Sequence, residues 1–263
     1  MKSLRWLALL LTAALETGAH AARPAEVPMY PWQPQAATES LVSRFSPPPG
    51  ARRVDAEAGS FAAFLRYLPL LPAGSPVLLY DGQKKSRQDV HAAVVDLDVG
   101  KRDLQQCADA AMRLRAEYLY WVGRFADIRF HPEPGRPKVL AYSGGADRAR
   151  FGRYLTQLFS DAGSASLQAE LGRRSGPVQA GDVLIQGGHP GHVVVVLDVA
   201  VASGGQRYLL LGQSYMPAQQ FHVLRNLQDT ALSPWFDEAA LDGDGLRTPE
   251  WPAFSRSNVR TFE

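Results

Sequence analysis

Cys107 is the one cysteine of the 263-residue sequence, and its position makes it the first residue to consider for chemistry. It falls near the start of a segment with helical periodicity, where exposed amides and the helix dipole favour an anion. Such a position lowers a thiol pKa below its usual value of about 8.5 and activates the thiol as a nucleophile. We therefore predict that Cys107 is a catalytic nucleophile. The alternative is a packing role, since free cysteines are among the most buried residues of proteins.

The segment that carries Cys107 predicts the most regular helix of the chain, from Asp103 to about Trp121. Asp103 is a good N-cap, and Gln106, three residues later, completes a capping box. One stripe of the helix carries small and apolar side chains, namely Leu104, Cys107, Ala108, Ala111, Leu114 and Tyr118. This spacing predicts that Cys107 lies in the first turn and faces inward.

His192 is the best candidate for the general base that a thiol nucleophile requires. It begins an apolar run at residues 192–198, and a histidine at a strand start has a fixed backbone while its ring leans over the sheet edge. Its structural alternative is a half-buried histidine bonded to a carbonyl. His189 lies in the glycine-rich loop just before this strand and is a rival base.

Gln213 is the candidate for the third group, which orients the imidazole. If residues 192–198 and 207–213 pair as antiparallel neighbours, the numbers of opposed residues sum to about 405, so His192 faces Gln213 at side-chain reach. A later turn would oppose His192 to Pro217 instead. Gln213 could also serve only to tie down the turn that follows it.

The remaining pattern predicts one α+β domain with helices before an antiparallel meander. Predicted helices lie at residues 59–68, 146–159 and 165–172. Predicted strands lie at residues 77–80, 90–99, 139–142, 183–186, 192–198 and 207–213. Glycine-rich breaks separate the last three strands, as expected for hairpin connections.

The first 50 residues indicate export and an extended arm. A basic start precedes an apolar run of nine residues from Trp6 to Ala14, too short for a bilayer that needs about 20 residues. We therefore predict a signal peptide at 1–21, a proline-rich arm at 22–50 and the single domain at 51–263. The mature protein should be periplasmic or secreted, without stable membrane insertion.

Composition narrows the possible partners. Hydrophobic residues make up 46% of the chain, enough for a sizeable core. The 28 Lys and Arg residues nearly balance the 26 Asp and Glu residues, which argues against nucleic-acid binding. A single cysteine excludes a four-cysteine zinc site and an internal disulfide. We expect no cofactor and no metal.

Two resemblances follow from these motifs. A cysteine at a helix start, followed by GDVLIQGG, GHVVVVLD and LLLGQ, resembles the papain-like cysteine peptidases and amidases, especially the NlpC and CHAP groups of cell-wall hydrolases. This resemblance covers Asp103 to about Ser214 and implies a papain-like fold and a peptide or peptidoglycan-like substrate. A second resemblance is carried by the runs FAAFLRYLPLLPAGSPVLLYDG, DLQQCADAAMRLRAEYLY and LLLGQSYMPAQ. These look like a bacterial family of exported proteins of unknown function, and the match covers nearly the whole mature chain.

We therefore predict an exported cysteine hydrolase that cleaves an amide or peptide bond through a thioester, with Cys107 as nucleophile, His192 as base and Gln213 as orienter. Acyl transfer rather than hydrolysis is a related possibility. The alternative from another class is a non-catalytic envelope protein that uses the same scaffold to bind a peptide or protein partner, with Cys107 as a core residue.

Overall fold

The computed structural model describes residues 30–33, 39–135 and 138–262. The predicted signal peptide, residues 1–21, lies outside the described residues, as does part of the predicted arm. The described part of the arm packs on the domain: Tyr30 is buried, and its hydroxyl donates a hydrogen bond to the carbonyl of Phe64. Leu41–Arg44 forms a short helix in the same region.

The helices and strands are as follows, numbered in chain order. The helices are α1 Leu41–Arg44, α2 Phe61–Arg66, α3 Cys107–Trp121, α4 Arg148–Asp161 and α5 Ser164–Glu170. The strands are β1 Ala51–Arg53, β2 His91–Val94, β3 Arg129–Phe130, β4 Leu140–Ala141, β5 Gly172–Arg173, β6 Val183–Gln186, β7 His192–Ala202, β8 Arg207–Gln213, β9 His222–Leu224, β10 Trp235–Asp237, β11 Leu246–Thr248, β12 Trp251–Phe254 and β13 Val259–Thr261.

In the described part of the chain, nine strands form one large sheet. Its main path runs β2-β9-β8-β7-β6-β13-β5, while β1 pairs with β7 and β10 pairs with β8. All of these pairings are antiparallel. The predicted α+β class and the predicted meander of β6, β7 and β8 are confirmed.

Strand β7 is buried on both faces, which explains its nearly continuous run of valines. Val193 and Val195 belong to the core beneath α3, whereas Val194 and Val196 belong to a second core that includes Phe254 of β12. His192 has the parity of the second group, because side chains alternate along a strand. Its ring accordingly lies at the β12 side of the sheet, 6.3 Å from the Phe254 ring.

The α3 helix begins three residues later than the sequence pattern predicts. Gln106, not Asp103, is its N-cap, and the Asp109 carboxylate accepts a hydrogen bond from the Gln106 amide. The Asp103 carboxylate is engaged elsewhere, since it accepts hydrogen bonds from the Gln106 side chain and the backbone amide of Ala218. Cys107 is therefore the first residue of the helix.

Other element boundaries differ from the predictions more modestly. Residues 77–80 make only isolated bridges, so the predicted strand there is wrong. The predicted strand at 90–99 is reduced to β2, whereas β7 extends to Ala202. The helices α2, α4 and α5 and the strands β4, β6 and β8 lie where the pattern placed them.

The predicted register between β7 and β8 is wrong by two residues at the site. Val195 pairs with Gly212, so the position across from His192 is that of Tyr215 and not Gln213. The turn falls later than expected because β7 is longer, and a bulge lies between Val196 and Asp198. A shift of two residues leaves every side chain on the same face of the sheet.

None of the helices in the described residues is both long enough and apolar enough to span a bilayer.

Candidate active site

Cys107 lies where the strands β7 and β8 separate. The ladder between these strands begins at Val195 and Gly212, and the backbone amide of Val193 lies where it favours the ionised form of the Cys107 thiol. The amides of Cys107 and Ala108 at the helix start also favour the ionised thiol. Cys107 is thus held between a helix N-terminus and the residue that follows His192.

His192 occupies an aromatic enclosure and is only 1% exposed. The Trp251 ring lies over it at a centroid distance of 5.1 Å and an angle of 31°. The Tyr215 ring approaches it edge-on at 5.0 Å. Trp251 is itself fixed by a 3.0 Å hydrogen bond from its indole nitrogen to Gln186, the residue paired with His192 across the β6–β7 ladder.

A chain of hydrogen bonds continues from His192 into the protein. His192 Nε2 is 2.8 Å from Gln213 Oε1, and Gln213 Nε2 donates to Glu250 Oε2 at 2.9 Å. The other Glu250 oxygen forms a 2.5 Å ion pair with Lys85. In contrast, His192 Nδ1 is buried without a hydrogen-bond partner among the described residues. Cys107 therefore lies next to the histidine strand without a hydrogen bond to the imidazole.

Burial keeps both the Cys107 thiol and the His192 imidazole neutral. Desolvation raises the pKa of the Cys107 thiol to about 11, and the nearby Asp109 adds to the rise. Desolvation lowers the pKa of His192 to about 4, against a smaller opposing effect of the Gln213 hydrogen bond. The predicted low thiol pKa is therefore wrong for this conformation, because loss of hydration outweighs the helix amides.

Asp109 is a second unusual group beside the thiol. Burial raises its pKa to about 8, with the hydrogen bond from the Gln106 amide opposing that rise. Its Oδ2 caps the helix, whereas Oδ1 is buried and has no partner among the described residues. A neutral carboxyl therefore adjoins Cys107 at ordinary pH.

Cys107 is one of the residues that line a cleft of about 300 Å³. The start of α3 forms one wall, and the start of α5 and the loop at residues 187–191 form the other. A Cβ atom on Gly191 would come within 2.2 Å of Ser164 Oγ and 2.4 Å of a backbone oxygen, so this position requires glycine. Asp103, Asp109 and Glu133 line the cleft.

The structure brings His192 and Gln213 together and sets Cys107 beside the residue after His192. His189 lies apart from this group, exposed on the cleft loop. The Gln213 side chain forms its hydrogen bonds with His192 and Glu250. Neither bond goes to the turn that follows Gln213, so they do not support the alternative that Gln213 only ties down this turn.

Sequence reasoning missed Glu250, Lys85 and Asp109 as members of the site. Glu250 stands between a proline and a tryptophan in a segment without clear periodicity, so its residue type gave no signal. Lys85 was assigned to a polar ribbon, yet its side chain is 7% exposed. Asp109 sits two residues after Cys107, where a first-turn acid is ordinary helix chemistry.

No group of three or more residues suited to binding a metal occurs among the residues that the structure describes.

Comparison with known proteins gives one family. The model described as a domain of unknown function (4846) matches residues 41–143 and 138–261. No curated protein and no solved structure gives a significant match to the chain.

Proposed function

The chain belongs to the family of the domain of unknown function 4846, and we propose that it is an exported cysteine hydrolase that cleaves an amide or peptide bond. Cys107 is the nucleophile, His192 the general base and acid, and Gln213 the orienter. The observation that carries this proposal is the bond between His192 Nε2 and Gln213 Oε1 beside a cysteine at a helix start.

The proposed reaction uses the two neutral groups together. The Cys107 sulfur attacks the substrate carbonyl carbon while its proton passes to His192 Nδ1, which has no hydrogen-bond partner among the described residues. The imidazole lies on the β12 side of the sheet and Cys107 on the α3 side, so this transfer crosses the gap where β7 and β8 separate. The tetrahedral intermediate expels the amine, which takes that proton and leaves a thioester. Water then attacks the thioester and gives a proton to His192. The C–S bond breaks, the acid product leaves, and the Cys107 sulfur takes the proton back from His192.

The helix start supplies the electrostatic part of this mechanism. The Cys107 backbone amide lies at the first helical position, where amide groups have no partner within the helix. Such amides stabilise the oxyanion of a tetrahedral intermediate. Proton transfer in step with attack suits a pair whose thiol pKa is raised and whose imidazole pKa is lowered.

The order of helix, strands and site residues supports a papain-like arrangement of the NlpC and CHAP kind. A cysteine opens the helix α3, and a histidine opens the strand β7. The polar residue Gln213 ends the next strand, β8, and contacts the histidine. Together with the apolar run at residues 6–14, this supports a periplasmic or secreted hydrolase.

Peptidoglycan peptides are the first substrate class to test. The cleft has the size of a few peptide units, and Cys107 lines it. The carboxylates of Asp103 and Glu133 line it together with the neutral carboxyl of Asp109, and no Lys or Arg of the described residues does. That lining favours a peptide segment that is neutral or cationic next to the cleaved bond.

The test is turnover of peptidoglycan peptides by the chain without its predicted signal peptide. We expect new amino groups to appear, and Cys107→Ser and His192→Gln to reduce kcat by at least about 100-fold, the usual scale for loss of a base. His189→Gln is the matched control, because His189 lines the same cleft but lies outside the hydrogen-bonded chain. Turnover that survives Cys107→Ser would overturn the proposal.

A second function is favoured by one observation, the burial of an unactivated thiol. In that case the protein is a non-catalytic envelope protein that binds a peptide or protein partner in the cleft. Cys107→Ser would then leave the affinity for the peptide unchanged and no peptide would be cleaved by the wild-type chain. Isothermal titration with uncleaved peptide distinguishes the two functions.

A further inference from the structure

We propose that Glu250, paired with Lys85, is a positioning residue that fixes the tautomer of His192 by fixing the orientation of the Gln213 amide. The kinetic consequence of this inference rests on the proposed function, whereas the tautomer itself does not.

Glu250 lies in the two-residue turn between β11 and β12, next to Trp251. Its side chain is 8% exposed and that of Lys85 is 7% exposed, so little water competes for their hydrogen bonds. Lys85 is further held by the Tyr215 ring, whose centroid lies 5.4 Å from the ammonium nitrogen. The Tyr215 hydroxyl donates to the Glu250 carbonyl oxygen at 3.2 Å.

The direction of the hydrogen bonds follows from which groups can donate. A carboxylate paired with an ammonium group only accepts, so the Gln213 atom facing it at 2.9 Å must be the amide nitrogen. The amide oxygen must then face His192 Nε2 at 2.8 Å. An amide oxygen only accepts, and therefore Nε2 must carry the proton of the neutral ring.

The neutral imidazole has one ring proton, so Nδ1 keeps its lone pair. This is the nitrogen left without a partner in the described residues, and it is the one that the proposed mechanism needs as base. If the Gln213 side-chain amide were rotated by 180°, its nitrogen would donate to His192 Nε2 and the ring proton would have to lie on Nδ1. That tautomer cannot accept the proton of Cys107.

The principal test reads the tautomer directly. Nitrogen-15 NMR of the wild-type chain at pH 7 should show a protonated Nε2 and an unprotonated Nδ1 for His192. A wild-type ring protonated at Nδ1 would overturn the inference, and this measurement requires no variant to fold.

The matched variants then test the cause. Glu250→Gln keeps the shape but can donate as well as accept, so we expect His192 to become a mixture of tautomers. Glu238→Gln is the control, because Glu238 is a buried carboxylate paired with two arginines outside this hydrogen-bonded chain. An unchanged tautomer in folded Glu250→Gln would overturn the role of Glu250.

The kinetic arm separates this inference from the proposed function. With a peptide that the wild type cleaves, Glu250→Gln should lower kcat by at least about 10-fold at similar KM. The reason is that the wrong histidine tautomer strongly lowers kcat in sites that pair a nucleophile with a histidine base. Equal kcat values for the wild type and Glu250→Gln would overturn the positioning role of Glu250. If His192 shows the expected tautomer but the wild-type chain cleaves no peptide, the hydrolase proposal is overturned and the inference about the tautomer stands.

Discussion

The indole of Trp251 covers the imidazole of His192, with ring centroids 5.1 Å apart and the Trp251 nitrogen bonded to Gln186. Together with Tyr215 it keeps water from the His192–Gln213 hydrogen bond. A dry environment strengthens that bond and disfavours the charged imidazolium. The aromatic cover therefore sets both the geometry and the basicity of the proposed base.

Removing this cover should raise the pKa of His192. In Trp251→Ala we expect the pKa to move from about 4 towards the usual value of about 6.5, because water regains access to the ring. NMR titration of the ring protons measures this change. His189 in the same spectra is the internal reference, and equal movement of both histidines would indicate a global change rather than loss of the cover.

The buried histidines should make the protein less stable in acid. Burial lowers the pKa of His192 to about 4 and that of His222 to about 3, so the folded state favours the neutral rings. Their contribution is complete above the unfolded pKa of about 6.5 and is lost as the pH falls towards 4 and 3. The free energy of unfolding should fall by about 1.4 kcal/mol per pH unit for each ring in this window.

Urea unfolding across pH 4 to 7 measures this loss of stability. His222→Asn retains a donor for the Gln220 carbonyl and should remove the His222 share of the pH dependence. The same slope in the variant as in the wild type would contradict a contribution from His222.

Asp109 should affect the stability of the protein in the opposite sense, because its contribution is lost as the pH rises. Its folded pKa of about 8 exceeds the unfolded value of about 4, so its stabilising contribution is complete below pH 4 and is lost as the pH rises to 8. Asp109→Asn retains an oxygen acceptor for the Gln106 amide and does not ionise. Relative to the wild type, the variant should gain at least about 2 kcal/mol between pH 4 and 8.

Thermal or urea unfolding of the Asp109→Asn protein at both pH values provides the check. A stability difference that is the same at pH 4 and pH 8 would mean that Asp109 titrates normally in the folded protein.

The thiol should react slowly at neutral pH. Only the thiolate is alkylated, and burial raises the Cys107 pKa to about 11, so the iodoacetamide rate in the folded protein should climb until about pH 11. Protein unfolded in urea should instead follow a pKa of about 8.5. A folded-state curve with a midpoint below 8.5 would show an activated resting thiol.

Asp109→Asn provides a companion measurement on the same thiol. The Asp109 charge contributes to the raised thiol pKa, so its removal should shift the alkylation curve to lower pH. Asp103→Asn is the comparison, because the Asp103 carboxylate is engaged by Gln106 and Ala218. Identical shifts in both variants would indicate a general effect of charge on the cleft.

Local pattern was sufficient for the strands that carry the site. The alternating and continuous apolar runs located β6 and β8 and the start of β7 at His192. His192 and Gln213 meet although their register was mispredicted, because a shift of two residues preserves the face and a glutamine side chain reaches the diagonal neighbour.

The rest of the site depends on contacts distant in sequence. The later start of α3 follows from the bond between Asp103 and the amide of Ala218, which no local pattern reveals. Glu250 and Lys85 meet across 165 positions. The raised thiol pKa likewise depends on how much of the fold covers Cys107, which the helix position alone does not determine.

Strand β13 has a consequence for the order of events during synthesis. It lies between β5 and β6, and β6 in turn flanks the strand of His192. A ribosome must therefore release residues 259–261 before the sheet can close around the site. Until then, a nascent chain holds Cys107 and His192 without the strand that joins β5 to β6. The fold thus delays assembly of the site around Cys107 and His192 until residues 259–261 have been synthesised.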